Sequence, residues 1–160
     1  MNANLAHLLE RSLAAPDRAL YRHWTGGQWE DVTAAEIAER AARWQAAFRR
    51  EGCAPGERIA LAVRNGVEWV AIDQAALGLG LVVVPLYVDD SADNVAWCVE
   101  HAQARLLVVD NSRMANALRG LADRYALPPI VVVRADEREP GTAVDLWLPG
   151  ADRPFEVHDV

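Results

Sequence analysis

Four short apolar runs, each separated from the next by a segment of helix length, constrain the fold of this sequence more than any other feature. The runs are ERIALAV (57–63), LVVVP (81–85), RLLVVD (105–110) and PPIVVV (128–133). Near-continuous apolar strands are typical of parallel sheets, because both faces of such sheets are covered. The alternation therefore predicts an α/β chain with a mostly parallel sheet and helices on both faces.

The N-terminal part predicts a short helix and a β-hairpin ahead of this sheet. The helix is expected over 4–14, ended by Ala15 and Pro16, and the hairpin strands ALYRHW and QWEDVT flank Thr25-Gly26-Gly27. Thr33 and Glu36 have the spacing of a capping box and predict a further helix. One face of that helix is apolar (Ile37, Ala41, Trp44 and Phe48), and Gly52 is expected to end it in the left-handed conformation.

The helices between the apolar runs are predicted from their own start and stop signals. The first follows the Asn65-Gly66 break and continues to about Gly78, and the last spans about 112–125. Ser91 is expected to cap the middle helix, on which Cys98 is predicted to be a small core residue. Within LVVVP, residues 81–84 are predicted to form a central strand, and Pro85 to end its hydrogen-bond ladder because proline has no N–H.

Composition excludes several classes of function. The net charge is -7 and the isoelectric point about 5.0, which argues against a nucleic-acid surface and against docking on anionic lipid. All 16 basic residues are arginine, so the chain has no lysine for a phosphate-binding loop or a Schiff base. Two cysteines, Cys53 and Cys98, without ligand-spaced histidines predict neither a disulfide scaffold nor a zinc site. No signal peptide or membrane span is expected, and the cytoplasm is the predicted location.

Each candidate site has a structural interpretation that is preferred to the catalytic one. Gly78 and Gly80 precede a strand, whereas a dinucleotide fingerprint needs glycines after one. There is no GxSxG motif, and the serines (Ser12, Ser91, Ser112) lie at or beside helix ends. The histidines His7, His23, His101 and His158 are scattered.

Acidic and aromatic clusters are interpreted in the same way. Asp89, Asp90 and Asp93 offer ligands for Mg²⁺, but acids in a first helical turn are expected mainly to complement the helix dipole. Trp24, Trp29, Trp44, Trp69 and Trp97 are expected to pack in a core or interface, with an apolar cavity as the alternative. No catalytic, cofactor-binding or metal-binding residue is predicted in this chain.

An ordered series of short motifs carries a family resemblance over roughly residues 5–135. The motifs are the aromatic hairpin followed by TxxE, GxxPGERIA leading into the strand at 52–60, NGVEW at 65–69, GxxxVPLY at 80–87, and ARLLVVD at 104–110. The series resembles the N-terminal region of the AMP-forming acyl-activating enzymes, and is most similar to long-chain fatty-acid–CoA ligases.

The resemblance implies a truncated ligase whose working parts lie elsewhere. In that family ATP is held by a loop of the type TSGTTGxPKG, and a small C-terminal domain carries a catalytic lysine; neither is in this sequence. Residues 1–135 are thus expected to be the N-terminal α/β subdomain, and 136–160 a linker or tail toward a missing ATP-binding region. The intact enzyme would use ATP, Mg²⁺ and CoA on a carboxylic acid, and the isolated chain is expected to be inactive.

The carboxyl end of the strand 81–85 is the predicted place for contacts with a ligand or with the rest of the protein. Ligands of open α/β sheets bind at the carboxyl ends of strands, so Leu86 and Tyr87 are predicted to line a wall facing the missing half. Uncovered apolar surface is expected to allow a homodimer. The alternatives are a stand-alone binding or regulatory module and a different enzyme of flavodoxin-like topology.

Overall fold

The computed structural model describes residues 4–134 and 144–158, which divide into two compact units. The first unit comprises Met1–Pro55, Asn65–Leu81 and Pro149–Val160, and the second comprises Gly56–Arg64 and Val82–Leu148. Within the described ranges, none of the helices has both the length and the apolar character needed to span a bilayer.

The first unit contains three helices and a two-stranded antiparallel sheet. Its elements are α1 (His7–Ser12), β1 (Ala19–Trp24), β2 (Trp29–Thr33), α2 (Ala34–Arg50) and α3 (Val67–Gly78). The predicted helix and hairpin are therefore confirmed, but α1 is shorter than 4–14. Asn4 caps the Ala6 N–H with its side chain at the start, and Pro16 disfavours helical geometry at the residue before it.

The hairpin exposes the tryptophans that were expected to be packed away. Trp24 and Trp29 face each other across β1 and β2, with ring centroids 5.4 Å apart. They are 51% and 63% exposed, so core packing is the wrong interpretation for this pair. Five of the six β1 residues are exposed; both faces of this hairpin therefore remain largely uncovered, and alternation along the strand does not bury its aromatic residues.

Helix α2 has the start, face and end that its sequence predicts. Thr33 accepts a hydrogen bond from the Glu36 N–H while the Glu36 carboxylate accepts one from the Thr33 N–H, which is the reciprocal capping box. The predicted apolar face (Ile37, Ala41, Trp44, Phe48) is completely buried. Gly52 adopts φ 70°, and the Cys53 N–H returns to the Phe48 carbonyl, which closes the helix in the left-handed conformation.

A partly buried ionic network joins α2 to α3. Arg40 donates through Nε to both carboxylate oxygens of Glu68, at 3.1 and 2.9 Å, and the Trp44 indole N–H donates to the same carboxylate. The Arg40 and Glu68 side chains are only 17% and 19% exposed. Glu68 thus accepts hydrogen bonds from two side chains of α2.

The second unit is built on a four-stranded, entirely parallel sheet. Its strands are β3 (Arg58–Ala62), β4 (Val82–Pro85), β5 (Leu106–Asn111) and β6 (Ile130–Arg134), in the order β4-β3-β5-β6. The register pairs Ile59 with Leu106 and Val108 with Val131. The predicted α/β class, with a parallel sheet flanked by helices, is confirmed.

Helices of the same unit cover one face of this sheet. They are α4 (Ala92–His101) and α5 (Ser112–Arg119), and α6 (Val144–Trp147) follows β6. An aliphatic cluster joins α4 and α5 to the sheet through Ala60, Ala62, Val95, Ala96, Val99, Leu107, Val109, Ala115, Leu118 and Val132. Consecutive residues 106–110 are all buried, so both faces of β5 are shielded from water.

Strand β4 corrects two predictions about LVVVP. It lies at an edge of the described sheet, not in its centre, and Val82 is 46% exposed. The strand ends at Pro85 as predicted, but the missing N–H is not the reason, because the next residue, Leu86, still donates its N–H to the Leu61 carbonyl at 3.0 Å. The Val82 N–H also donates toward β3. Because successive residues of a strand point their N–H groups to opposite sides, the nitrogen of Pro85 points away from β3, and its missing N–H removes no hydrogen bond from the ladder.

Two further boundaries differ from the sequence-based ones. Helix α5 ends at Arg119 instead of continuing to 125, since Gly120 is a weak helix former and turns follow it. Residues 144–158 include α6 and the buried Val144 and Leu148, which the linker interpretation did not predict. The proposed boundary at 135/136 lies outside the described residues and stays a prediction.

Candidate functional site

Charged side chains lie at the carboxyl end of every strand in the parallel sheet. Arg64 and Asp89 follow β3 and β4, Asp110 lies near the end of β5, and Arg134 ends β6. In open α/β sheets this edge is where ligands bind. We refer to these four residues as the carboxyl-edge cluster.

Asp110 is the buried centre of the carboxyl-edge cluster. It is 3% exposed and accepts the Arg64 backbone N–H at 3.1 Å. Both of its carboxylate oxygens lie 2.5 Å from Nη2 of Arg134, and its Oδ2 lies 3.6 Å from Nε of Arg64. A carboxylate taken out of water needs such partners to remain ionised at acceptable cost.

Arg64 and Arg134 both contact Asp110, and the rest of each side chain is open to solvent. The side chains of Arg64 and Arg134 are 55% and 58% exposed. Arg64 also contacts Asp89 at 3.1 Å, and Asp89 is itself 75% exposed, so that pair contributes at most about 1 kcal/mol. Chemically, the cluster presents oriented guanidinium groups, which suit carboxylate or phosphate oxygens.

The start of α5 lies directly beside Asp110 in the sequence. Asn111 caps the helix by accepting the Met114 N–H at 3.0 Å. Ser112 is 3% exposed, and its Oγ has no hydrogen-bond partner among the described residues. Its predicted place at a helix end is confirmed, but the capping residue is Asn111.

The two residues predicted to form a wall differ in their surroundings. Tyr87 is 85% exposed, whereas Leu86 is partly buried and packs against the aliphatic cluster of the second unit. Tyr87 is therefore accessible at the carboxyl end of β4, and Leu86 mainly supports the core. Their role as a substrate wall stays a prediction.

The acids after β4 are engaged individually and do not converge on a cation. Asp89 pairs with Arg64, Asp90 accepts the Ser91 N–H, and Asp93 contacts Arg124 and Tyr125. No group of three or more metal-ligating side chains occurs among residues 4–134 and 144–158. The Tyr125 hydroxyl that donates to Asp93 has a raised pKa, mainly because it is partly buried and secondly because of this hydrogen bond.

The other sequence candidates are placed in structural roles. Ser91 caps α4 through the Asn94 N–H, and Ser12 donates to the Leu8 carbonyl. His101 stacks on Trp97 at 5.0 Å, with Trp97 52% exposed. Cys98 is only partly buried, which corrects its assignment to the core. Gly78 ends α3, so the glycine pair opens no helix.

One cleft in the first unit has an aromatic lining. It measures about 400 Å³, between β1 and the start of α3, and is lined by Tyr21, Arg22, His23, Trp24, Asn65, Gly66, Val67 and Val70. Among the described residues, Trp24 is the one tryptophan in the lining, so the alternative of a cavity built from several tryptophans is wrong for this cleft.

The carboxyl-edge cluster is the feature that sequence reasoning missed. Its signal was present: a charged residue follows or closes each apolar run, at Arg64, Asp89, Asp110 and Arg134. Sequence alone does not indicate that Asp110 is buried or that two arginines share it.

Comparison with known proteins places this chain in a family. Residues 9–154 match the family described as AMP-binding enzyme. The long-chain-fatty-acid–CoA ligase FadD15 of Mycobacterium bovis is 29% identical over 117 residues, which cover 73% of this chain and 20% of the relative. The 3-hydroxybenzoate–CoA ligase of Aromatoleum sp. is 32% identical over 139 residues, which cover 84% of this chain and 26% of that ligase.

Solved structures agree with the fold. A benzoate CoA ligase from Burkholderia xenovorans superimposes with a TM-score of 0.72 at 21% identity, over 97% of this chain and 29% of that one. ATP-bound MatB from Rhodopseudomonas palustris gives a TM-score of 0.76 at 19% identity, over 98% and 30% of the two chains. The chain thus spans only about a fifth to a third of these proteins. On its sequence match and its fold, the chain belongs to the AMP-binding enzyme family.

Proposed function

We propose that this chain is the N-terminal α/β part of an acid–CoA ligase that adenylates a carboxylic acid with ATP and transfers the acyl group to CoA. The observation that carries the proposal is the match of residues 9–154 to the AMP-binding enzyme family. Relatives named as CoA ligases support it.

The chemistry of such a ligase has two steps. A carboxylate oxygen attacks the α-phosphorus of ATP and pyrophosphate leaves; the CoA thiolate then attacks the acyl carbon and AMP leaves. Mg²⁺ and basic groups would neutralise charge developing on the phosphates. No described residue is assigned to either step, because the sequence contains neither the ATP-binding loop of the family nor any lysine.

A long-chain fatty acid is the proposed substrate, with an aromatic acid as the second candidate. The similarity to FadD15 supports the first, and the similarity to the 3-hydroxybenzoate–CoA ligase favours the second. The test is thioester formation by the intact ligase with ATP, Mg²⁺, CoA and a panel of palmitate, octanoate, benzoate and 3-hydroxybenzoate. A preference for palmitate would support the long-chain proposal, and a preference for either aromatic acid would overturn it.

The 160-residue chain alone is proposed to be inactive, with the remainder of the ligase as its partner. Isothermal titration calorimetry of residues 1–160 with ATP should detect no tight binding. Tight binding would contradict the view that the nucleotide site lies elsewhere.

The cytoplasm is the proposed location of the protein. A homodimer of the isolated chain is expected by size-exclusion chromatography, and a monomer at high concentration would argue against the dimer.

A stand-alone binding or regulatory module is the alternative of a different class, beside the flavodoxin-like enzyme. The gene downstream of codon 160 distinguishes them. A reading frame that continues into a Ser/Thr/Gly-rich loop supports the ligase, and a natural stop codon at that point would overturn it.

Tyr87 is proposed to line the acid-binding side of the intact ligase. Its exposure at the carboxyl end of β4 supports this role. Tyr87→Ala should raise KM for the acid with little change in KM for ATP. Unchanged kinetics would remove Tyr87 from the site.

A further inference from the structure

We propose that the cleft between β1 and the start of α3 binds a small aromatic anion, a planar apolar ring that carries a carboxylate or a phosphate group. We call it the hairpin cleft. Its lining residues all belong to the first unit, and none is assigned a role in the proposed ligation. The inference therefore does not depend on the ligase activity.

Aromatic and aliphatic side chains form the walls of the hairpin cleft. Tyr21 and Trp24 of β1 are 45% and 51% exposed, so about half of each side chain is available for contact. The ring of Trp24 packs on that of Trp29, with centroids 5.4 Å apart. Val67 and Val70 are half-buried and line the cleft from α3. Its volume of about 400 Å³ is in the range of small-molecule sites, which are mainly apolar and aromatic.

Charge in the lining favours an anion. The chain has 23 acids and a net charge of -7, yet the described lining contains no carboxylate and two basic side chains, Arg22 and His23. Glu68, in the first turn of α3, bonds instead to Arg40 and Trp44 of α2. A cationic ligand, which aromatic rings also bind in other proteins, would meet like charge here without an acid to offset it.

Arg22 is positioned to bind the anionic group. Its Nε donates to Oδ1 of Asp31 at 2.8 Å, which orients the guanidinium, and its side chain is 71% exposed. Within the described ranges, no bond engages its two Nη atoms, the His23 ring or the Asn65 amide. A guanidinium offers paired N–H donors to carboxylate and phosphate oxygens. The hairpin cleft thus combines contact area for a ring with unengaged donors for an anion.

Amide chemical shifts of the 160-residue chain, recorded without ATP, test the proposal with four naphthalene probes. These are 1-naphthoate, 1-naphthyl phosphate, the neutral 1-naphthalenemethanol and the cationic 1-naphthalenemethylamine. At least one anion should shift the His23, Gly66 and Val67 amides with a dissociation constant below about 1 mM, while the Leu107 and Val108 amides of β5 keep their shifts. The tighter of the two anions identifies the charged group. Failure of both anions to bind in this way, or equal or tighter binding of the alcohol or the amine, would overturn the proposal.

Two tryptophan variants test whether the ring contacts the walls of the cleft. Trp24→Ala should weaken binding of the tighter anion by about fivefold or more, because it removes an aromatic wall. Trp29→Ala is the matched control: Trp29 faces Trp24 but is not in the lining, so its loss should weaken binding by less than about twofold. Equal losses for the two folded variants would contradict binding in the hairpin cleft.

Recognition of the charge is tested at Arg22. Arg22→Gln should weaken binding of the anion by about threefold or more, as expected for an exposed ionic contact, and should leave the affinity for the alcohol unchanged. Asp31→Asn keeps the guanidinium and removes its acidic neighbour, so binding of the anion should not weaken. Equal losses for anion and alcohol in Arg22→Gln, or a loss in Asp31→Asn as large as that in Arg22→Gln, would disprove charge recognition by Arg22.

Discussion

The two units differ in where they place their polar groups. In the second unit the interior is an aliphatic cluster, and Asp110, the acid that is buried among the described residues, lies at the carboxyl edge of the sheet, where two arginines reach it from solvent. In the first unit, polar side chains bond between elements: the partly buried Glu68 accepts from Arg40 and Trp44, and the buried Gln45 bonds to the Glu156 backbone. Both units bury apolar side chains, but in the first unit directional bonds from Glu68 and Gln45 also join α2 to α3.

This difference has a consequence for substitutions. Aliphatic burial is roughly proportional to area and tolerates changes of shape. A buried polar network is stable only when every member has a partner. Removing a partner from the Glu68 network should therefore destabilise the first unit, and a cavity in the aliphatic cluster should destabilise the second.

The largest effect is expected from a cavity in the second unit. Leu107 is completely buried in β5, so Leu107→Ala should lower the free energy of unfolding by about 2–5 kcal/mol in urea titrations. Val82→Ala, at an exposed position of β4, is the control and should stay within about 0.5 kcal/mol. A loss below about 1 kcal/mol at Leu107 would contradict the aliphatic account of this unit.

The next effect tests the polar interior of the first unit. Glu68→Ala removes the carboxylate that accepts from Arg40 and from the Trp44 N–H, and should cost about 2–3 kcal/mol of unfolding free energy. Glu68→Gln should cost less, because the amide oxygen still accepts one bond. Glu10→Ala on α1, whose side chain is 53% exposed, is the control. Equal losses for Glu10→Ala and Glu68→Ala would show that the network does not stabilise this unit.

A smaller effect is expected at the capping box of α2. Thr33→Ala should cost about 1 kcal/mol of unfolding free energy at pH 7, and Thr25→Ala in the hairpin turn serves as control. Bonds from the Thr33 N–H, and then from its hydroxyl, lower the pKa of Glu36 from 4.5. Because the folded pKa is the lower one, this stability is complete above pH 4.5 and is lost as the pH falls through the folded pKa. Thr33→Ala should therefore flatten the stability profile below pH 4.5 only in part, because it removes the bond from the hydroxyl and keeps the larger contribution from the backbone N–H.

The smallest effect is expected at Asp73, where the free energy of unfolding should fall, not rise, as the pH increases. Burial raises the pKa of Asp73 on α3 above 3.8, outweighing the bond from Gln74. A raised carboxyl pKa lowers stability as the pH increases past 3.8. Asp73→Asn should have a higher Tm than the wild type at pH 7, with the difference vanishing near pH 3. A lower Tm at pH 7 would show that the charge is compensated.

The sequence predicts the sheet, the capping box and the left-handed Gly52 because these features depend on local patterns. It misplaces β4, since LVVVP reads as a central strand and strand order is a long-range property. Burial of Asp110 and the contacts of Gln45 were not predicted, because each partner lies more than twenty residues away. The exposed tryptophans of the hairpin show the same limit: composition indicates apolar surface but not what covers it.

ATP–pyrophosphate exchange tests the central claim, membership in a working acid–CoA ligase, most directly. It is measured with a panel of carboxylic acids on the protein encoded by the continuous reading frame, beside residues 1–160 alone. The account predicts acid-dependent exchange by the longer protein and none by residues 1–160. Acid-dependent exchange by residues 1–160, or none by the longer protein with any acid, would contradict it.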